Sequence, residues 1–282
     1  MDVAPHHGGL QAAVTAALDT VMDPELDRSL VELGFARAEV LGAGRVRIEL
    51  RLPTFWCAPN FAYLMAADAR EAVGAVPGVR EVEFCLLDHF AGEEVSRGVE
   101  AGRSFDQSFG DLADGGGLEE LRRLFWIKAF TMRQERLLRA LLARGVGLET
   151  LAATRLGEVP DGEELRRYLV CRRRLGLPAG PEAPLAVTPN GRPLAAGQLA
   201  AYLRRARSTR VAMDFNTSLC RGLLEARYGR AVGGPAGSAV PTRPVGGRSS
   251  RRGRSQPTNG GGAGRRGAEP DRSGADRGPG AA

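Results

Sequence analysis

The first ninety residues show two periodicities in their apolar positions. Apolar residues three or four apart, such as Leu10, Val14 and Leu18, predict amphipathic helices. Strict alternation, as around Ile48 and Leu50, predicts strands with one buried and one solvated face. The predicted elements are a helix over 10–21, a short helix over 23–33, strands over 35–41 and 46–52, a helix over 61–73 and a strand over 79–87. This ααββαβ order predicts an α+β fold with helices packed on a small three-stranded sheet.

The short helix is predicted from its ends. Asp23 is a good capping residue, Pro24 suits the first helical position, and Glu25 favours the positive end of the helix dipole. Gly34 suits the residue that ends a helix. These features favour a helix between the first helix and the first strand.

The rest of the chain reads as two further parts. Residues 103–117 are loop-rich, and Asn190-Gly191 predicts the two-residue turn of a hairpin. The predicted helices cover 92–101, 118–144, 148–156, 162–175, 195–207 and 211–227. We therefore predict an α+β domain over 1–89, a mainly helical extension over 90–228 and a tail over 229–282. The tail is rich in Gly, Arg and Pro and nearly lacks large apolar residues, so we expect it to be disordered.

The charge is concentrated in that tail. Residues 230–282 hold ten arginines against three acidic residues, while the whole chain carries +6, so the rest is close to neutral. The arginines alternate with Gly and Pro rather than with aromatic residues, which favours a solvated tail over nucleic-acid binding. A salt-sensitive contact with a polyanion is the alternative. No apolar run reaches membrane-spanning length and the N-terminus shows no secretory pattern, so we predict a cytoplasmic protein.

The loop from Thr54 to Asn60 holds the sharpest chemical feature. It places Cys57 where a predicted strand passes into a predicted helix. Unpaired backbone N–H groups and the helix dipole favour thiolate at such a position, and thiolate is the form that ligates iron. The alternative is that Cys57 serves only as a small buried apolar side chain.

Three other side chains are candidate ligands. Asp23 and Glu25 have carboxylate oxygens that a metal can bind, although helix capping explains the same residues. His89 follows the third predicted strand and is either a ligand or an ordinary polar loop residue. The cysteines at 57, 85, 171 and 220 have no metal-finger spacing, so a self-contained zinc knuckle is excluded.

Several of these motifs occur together in a known family. The chain resembles the metal–sulfur cluster assembly family that includes PaaD-like and SufT-like domains, through roughly residues 10–88. The motifs that carry the resemblance are Asp23-Pro24-Glu25, Leu33-Gly34, Thr54 to Cys57, and Pro77-Gly78-Val79 before the last strand. The resemblance implies an α+β fold and a role in making or delivering iron–sulfur clusters or in maturing iron-dependent proteins.

The family's functional residues map onto this sequence one by one. Its functional cysteine corresponds to Cys57, its acidic pair to Asp23 and Glu25, and its threonine to Thr54. Here Ala58 separates the cysteine from the proline that usually follows it, and the family's usual ending is replaced by a long helical extension. That extension resembles family members that accompany bacterial multicomponent di-iron monooxygenases.

We therefore expect an accessory factor that holds iron or an iron–sulfur cluster transiently on Cys57. Asp23, Glu25 or His89 would complete the site, and because a cluster needs four ligands, a second copy of the chain, a partner or small thiols would supply the rest. The expected partners are a client apoprotein and other cluster-assembly proteins. The alternative is a metal-free adaptor whose helices hold a client enzyme subunit. An enzyme with its own substrate is not predicted, since no paired base or nucleotide loop is present.

Overall fold

A three-stranded sheet organises the first half of the chain in the computed structural model, which describes residues 7–110 and 118–229. The elements are α1 (His7–Asp19), β1 (Met22–Asp23), β2 (Arg28–Ser29), β3 (Ala36–Gly42), β4 (Arg45–Arg51), α2 (Pro59–Gly74), β5 (Glu81–Leu87), α3 (Gly92–Glu100), α4 (Phe105–Phe109), α5 (Glu119–Ala143), α6 (Leu148–Ala153), α7 (Glu163–Arg174) and α8 (Ala196–Tyr228). In the sheet, β3 pairs antiparallel with β4, and β5 pairs parallel with β4 after the α2 crossover. The predicted α+β fold is confirmed.

The two faces of the sheet differ as the alternation of residues predicts. Val46 and Ile48 are fully buried on one face of β4. On the other face, the Arg47 guanidinium donates to the Glu83 carboxylate at 2.9 Å across the β4–β5 pair. Helices α1 and α2 pack against each other, α1 also contacts β3, and α2 contacts β5. One solvated and one covered face is typical of a small α+β sheet.

The short helix predicted over 23–33 is wrong, because this segment contains the β1–β2 hairpin and two turns. The Asp23 carboxylate does cap backbone N–H groups, accepting from Glu25 and Leu26 at 2.9 Å each. The Asp27 N–H then bonds the Asp23 carbonyl, and Asp27 adopts a left-handed φ of 50°, which turns the chain back instead of continuing a helix. Gly34 also has a positive φ, 73°, and is the last residue of the second turn.

Two predictions in the helical part need correction. The helices predicted over 195–207 and 211–227 are one helix, α8, because residues 208–210 contain neither Gly nor Pro to interrupt it. The predicted hairpin around Asn190-Gly191 is reduced to one bridge, between Val187 and Pro193, with a turn longer than two residues.

Two of the predicted segments lie partly or largely outside the residues that the structure describes. Helix α4 lies within the segment predicted as loop-rich, and residues 111–117 of that segment lie outside the described residues. The predicted disordered tail also lies outside them, except for its first residue. Among the helices of the described ranges, none combines the length and apolar character that a membrane span requires.

Two hydrophobic cores lie within one compact unit that includes all the described residues. The first core contains the sheet, α1 and α2, and also Val95 and Val99 of α3. The second contains side chains of α5, α6 and α7 and the N-terminal half of α8. Helix α8 contributes to both, since Leu199 is buried in the second core and Leu224 in the first. The division of the chain at residue 89 stays a prediction.

A buried ion pair also joins the β1–β2 hairpin to α5. The Arg133 Nε donates to the Asp27 carboxylate at 2.5 Å, and its Nη2 donates to the Asp27 carbonyl at 3.0 Å. The two side chains are 3% and 6% exposed. Neither charge is stable alone at such burial, so each depends on the other to remain in the interior.

Replacing Arg133 by methionine tests this pair. The substitution keeps an unbranched side chain of similar length but leaves the Asp27 carboxylate buried without its cation. We expect the free energy of unfolding to fall by about 3–5 kcal/mol in urea denaturation. The control is Arg28→Met, which removes a partly exposed ion pair with Glu32 and is expected to cost less than about 1 kcal/mol. Equal losses in the two variants would contradict the structural role of the buried pair.

Candidate functional site

Cys57 lies in the loop between β4 and α2, as the sequence predicts. It directly precedes Ala58, the N-cap residue of α2, and Pro59 opens the helix. Its side chain is half-buried, and the Thr54 hydroxyl lies 3.2 Å from its sulfur. The thiol is therefore held near the N-terminus of α2 and remains partly accessible.

His89 supports this loop from the other side. Its ring is 8% exposed, its Nδ1 accepts from the Ala91 N–H at 3.1 Å, and its Nε2 lies 2.7 Å from the Cys57 carbonyl oxygen. Because Nδ1 accepts, Nε2 carries the proton and donates to Cys57. Burial lowers the pKa of His89, and the Arg227 charge lowers it further, against the opposing effect of the bond to Cys57. The neutral ring fixes the backbone of Cys57, and binding a metal would require breaking one of its two bonds.

Asp23 is a buried carboxyl group in the β1–β2 hairpin. Burial raises its pKa to about 6, although the hydrogen bonds from Leu26 and Glu25 act in the opposite direction. The side chain is 7% exposed and lines a cavity of about 360 Å³ between the hairpin, α2 and α5. Glu25, two residues on, is half-buried and its charge also raises the pKa of Asp23.

Helix α8 packs Cys220 against the first core, which the sequence did not predict. The thiol is half-buried and packs against the first core, as Cys57 does. The pKa of Cys220 is raised to about 11, mainly by burial and to a smaller extent by the charges of Asp23, Cys57 and Glu25. No local motif marks Cys220, because it lies inside a helix far along the chain from the other residues.

An exposed aromatic patch lies beside the Cys57 loop. It consists of Phe55, Trp56 and Phe90, which are 41%, 74% and 45% exposed. Trp56 contacts Phe55 and Phe90 with ring centroids 4.9 and 5.5 Å apart. Clustered exposed aromatic side chains mark interaction surfaces on soluble proteins. We refer to these three residues as the aromatic patch.

The structure brings the predicted site residues together only in part. Thr54, Cys57 and His89 share one loop cluster, whereas Pro24 belongs to the hairpin and Gly34 to the second turn after it. Within residues 7–110 and 118–229, no group of three or more His, Cys, Asp or Glu side chains is placed to hold a metal ion. Iron bound at Cys57 would therefore need ligands from outside these residues or a rearrangement within them.

Comparison with known proteins finds a family match near the N-terminus of the chain. Residues 11–84 match the model of a family described as iron-sulfur cluster assembly protein. The uncharacterized protein MJ1129 of Methanocaldococcus jannaschii is 34% identical over 84 residues, which are 29% of this chain and 86% of that protein. The chain belongs to the iron–sulfur cluster assembly protein family. No solved structure matches this family member significantly.

The matched segment of this cluster-assembly protein includes only some of the candidate site residues. It contains Asp23, Glu25, Thr54 and Cys57, and it ends before His89 and Cys220. Of the predicted site residues, Asp23, Glu25, Thr54 and Cys57 therefore lie in the part shared with the family, and His89 lies in the chain that follows it.

Replacing Asp23 by asparagine tests the burial of its carboxyl group. Because the folded pKa is about 6 against 3.8 for the free side chain, the protonated group contributes stability below pH 3.8 and this contribution is lost as the pH rises through 6. Asparagine accepts the same backbone hydrogen bonds but does not titrate. From pH 4.5 to 7 we expect the unfolding free energy of Asp23→Asn, relative to the parent, to rise by roughly 1–2 kcal/mol.

Urea denaturation at several pH values measures this difference. Glu93→Gln is the control for the loss of one carboxylate, since the Glu93 side chain is 77% exposed. A pH-independent difference between Asp23→Asn and the parent would show that the carboxyl group is not desolvated in solution.

Proposed function

We propose that this chain is an accessory factor that carries iron or an iron–sulfur cluster on Cys57 and passes it to a client apoprotein. The observation that carries this proposal is the partly accessible Cys57 thiol, which lies in the part of the chain that matches the cluster-assembly family. Thr54 lies 3.2 Å from its sulfur and His89 fixes its backbone carbonyl. These contacts preorganise the thiol without covering it.

The incomplete ligand set fits a carrier rather than a storage site. A cluster or a tightly held iron ion needs about four protein ligands, and the described residues do not present such a set around Cys57. A partner that supplies the remaining ligands would therefore take part in binding and could withdraw the cargo. Such a partner is a client, another cluster-assembly protein or a second copy of this chain.

The aromatic patch supports a direct contact with that partner. Trp56 immediately precedes Cys57, so a protein that covers this side chain would bring its own ligands close to the thiol. Large aromatic side chains contribute much of the binding energy at protein interfaces, which favours this position for docking.

Anaerobic reconstitution with ferrous iron and sulfide tests the role of Cys57. We expect the parent chain to retain iron after desalting, and Cys57→Ser to retain at least tenfold less, because serine is a poor iron ligand. The matched control is Cys85→Ser on β5, which is also half-buried but lies outside the Cys57 loop. Metal content and the visible spectrum are measured, and equal iron in the parent and Cys57→Ser would exclude the carrier function.

A metal-free adaptor is the second candidate, and helix α8 provides its support. Four apolar side chains, each one helical turn apart, are 39–65% exposed on it: Val211, Phe215, Leu219 and Leu223. An exposed apolar stripe of this kind suits a helix of a client subunit. A di-iron monooxygenase subunit is one such client.

Charged substitutions on the exposed apolar stripe of α8 distinguish the carrier function from the adaptor function in cells. The double variant Phe215→Asp with Leu219→Asp should leave the folded chain stable, because both positions are exposed. If the chain is an adaptor, iron-dependent enzyme activity falls in this variant and persists in Cys57→Ser. If the chain is a carrier, Cys57→Ser loses that activity. Enzyme assays in extracts, with circular dichroism of the purified variants, measure both effects.

A further inference from the structure

The middle of helix α8 presents a long exposed face without charge. Nine residues between 208 and 226 share this face, because they recur at intervals of three and four along the helix. All nine are exposed: Ser208, Val211, Ala212, Phe215, Ser218, Leu219, Gly222, Leu223 and Ala226. We refer to these residues as the uncharged face, which contains the apolar stripe of α8 and surrounds it with small side chains.

The opposite side of α8 fixes the helix to the rest of the chain. Met213 is buried at 4% exposure. Arg136 of α5 donates to the Asp214 carboxylate at 2.7 Å, and the Arg210 Nε lies 3.0 Å from the Glu135 carboxylate. The uncharged face is therefore a preformed surface, and its large apolar side chains remain in water unless another molecule covers them.

Gly222 indicates that another helix approaches this face closely. Glycine inside a helix lowers stability relative to alanine. A Cβ at Gly222 would meet no atom of the described chain within 4 Å, so the fold of one copy does not require glycine there. A second helix does benefit from it, because the distance between packed helices depends on the size of the side chains at the contact.

Charged residues of alternating sign follow one edge of the uncharged face: Arg207, Asp214, Arg221 and Glu225. At about 100° per residue they lie within about 40° of one another around the helix. Asp214 also pairs within the chain, but its side chain is still 39% exposed. The other three have no ion-pair partner in the described ranges, so their charges are available to a second molecule.

This order of charges is complementary to itself when a second copy of α8 runs in the opposite direction. If the pair is centred at the level of Thr217, Asp214 lies about 1.5 Å along the axis from the level of Arg221 in the second copy. Arg207 lies about 3 Å from the level of Glu225 in the same way. Two-fold symmetry repeats both pairs. In a parallel pair this edge would face the other edge of each helix, where no acidic residue of 205–227 lies.

We propose that the uncharged face pairs α8 antiparallel with α8 of a second copy of this chain. The arrangement that aligns the charges also places Phe215 at the level of Leu219 of the other copy. Ala212 lies at the level of Gly222 in the same way. These four residues are spaced by three, four and three positions, which is the spacing of helices that pack side by side over several turns. The proposal does not depend on what Cys57 carries.

The size of the uncharged face predicts a reversible association. Residues 208–226 span about 28 Å of a helix about 10 Å wide. Standard stable interfaces bury roughly 800 Å² per partner, which is more than one helix face of this length provides. We therefore expect a dissociation constant in the micromolar range.

Sedimentation velocity of the full chain at several concentrations tests the proposal. We expect the parent to change from monomer to dimer as its concentration rises through the micromolar range. Leu219→Asp should weaken this association roughly tenfold or more, because pairing would bury an unpaired carboxylate. The matched control is Leu124→Asp on α5, since Leu124 is 52% exposed against 48% for Leu219, and it should associate like the parent.

An exchange of charges tests the antiparallel direction. Glu225→Arg should weaken association about fivefold, because the new cation meets Arg207 of the second copy. Adding Arg207→Glu to the same chain should restore the parent's dissociation constant, since each pair is then complementary again. Circular dichroism of the purified variants checks that both fold like the parent.

Three outcomes would overturn the proposal. A parent that remains monomeric throughout this range would leave the uncharged face to another partner, such as a client subunit. A dimer that persists unchanged in Leu219→Asp would show that the two copies meet elsewhere. Exchanged charges that fail to restore association would exclude the antiparallel pair. Failure of the carrier function leaves these results unchanged, because Cys57→Ser should associate like the parent.

Discussion

The ion pair between Asp27 and Arg133 joins the cluster-assembly domain to the helices that follow it. Each partner is almost fully buried, so each is stable in the interior only while the other remains in place. Asp27 closes the turn that follows Asp23 and contains Glu25, and Arg133 lies in the middle of α5, which contributes to the second core. This contact therefore links the turn that contains Glu25 to α5, although the two segments are distant in the sequence.

Much of the structure of the first ninety residues follows from local sequence. Alternation around Ile48, with glycines in the adjoining turn, is enough to predict the β3–β4 hairpin and its buried face. The helix after Pro59 also begins where its sequence predicts. The β1–β2 hairpin could not be predicted in the same way, because an aspartate before a proline caps a tight turn as well as it caps a helix. The left-handed conformation of Asp27 selects the tight turn rather than a helix, and no residue pattern in the sequence requires that conformation.

Local sequence predicts less of the candidate site than of the sheet. Cys57 was predicted because its chemistry depends on the neighbouring strand and helix, which local sequence specifies. The contact of His89 with the Cys57 backbone depends on how β5 ends beside the loop, so the sequence identified the residue but not its hydrogen bonds. Cys220 has no local signature, and its burial against the first core follows from the packing of Leu224 and the contacts of Arg227 at the end of α8.

The uninterrupted course of α8 has a consequence for biosynthesis. At 33 residues the helix is about 50 Å long, and it begins in the second core and ends in the first. On the ribosome, the domain that matches the assembly family is complete in sequence by residue 84, but its core still lacks Leu224 until almost the whole described chain has been made. Domains generally fold as they emerge, N-terminal part first. Here the last helix supplies Leu224 to the first core, so that core can be complete only when nearly all of the described chain has been made.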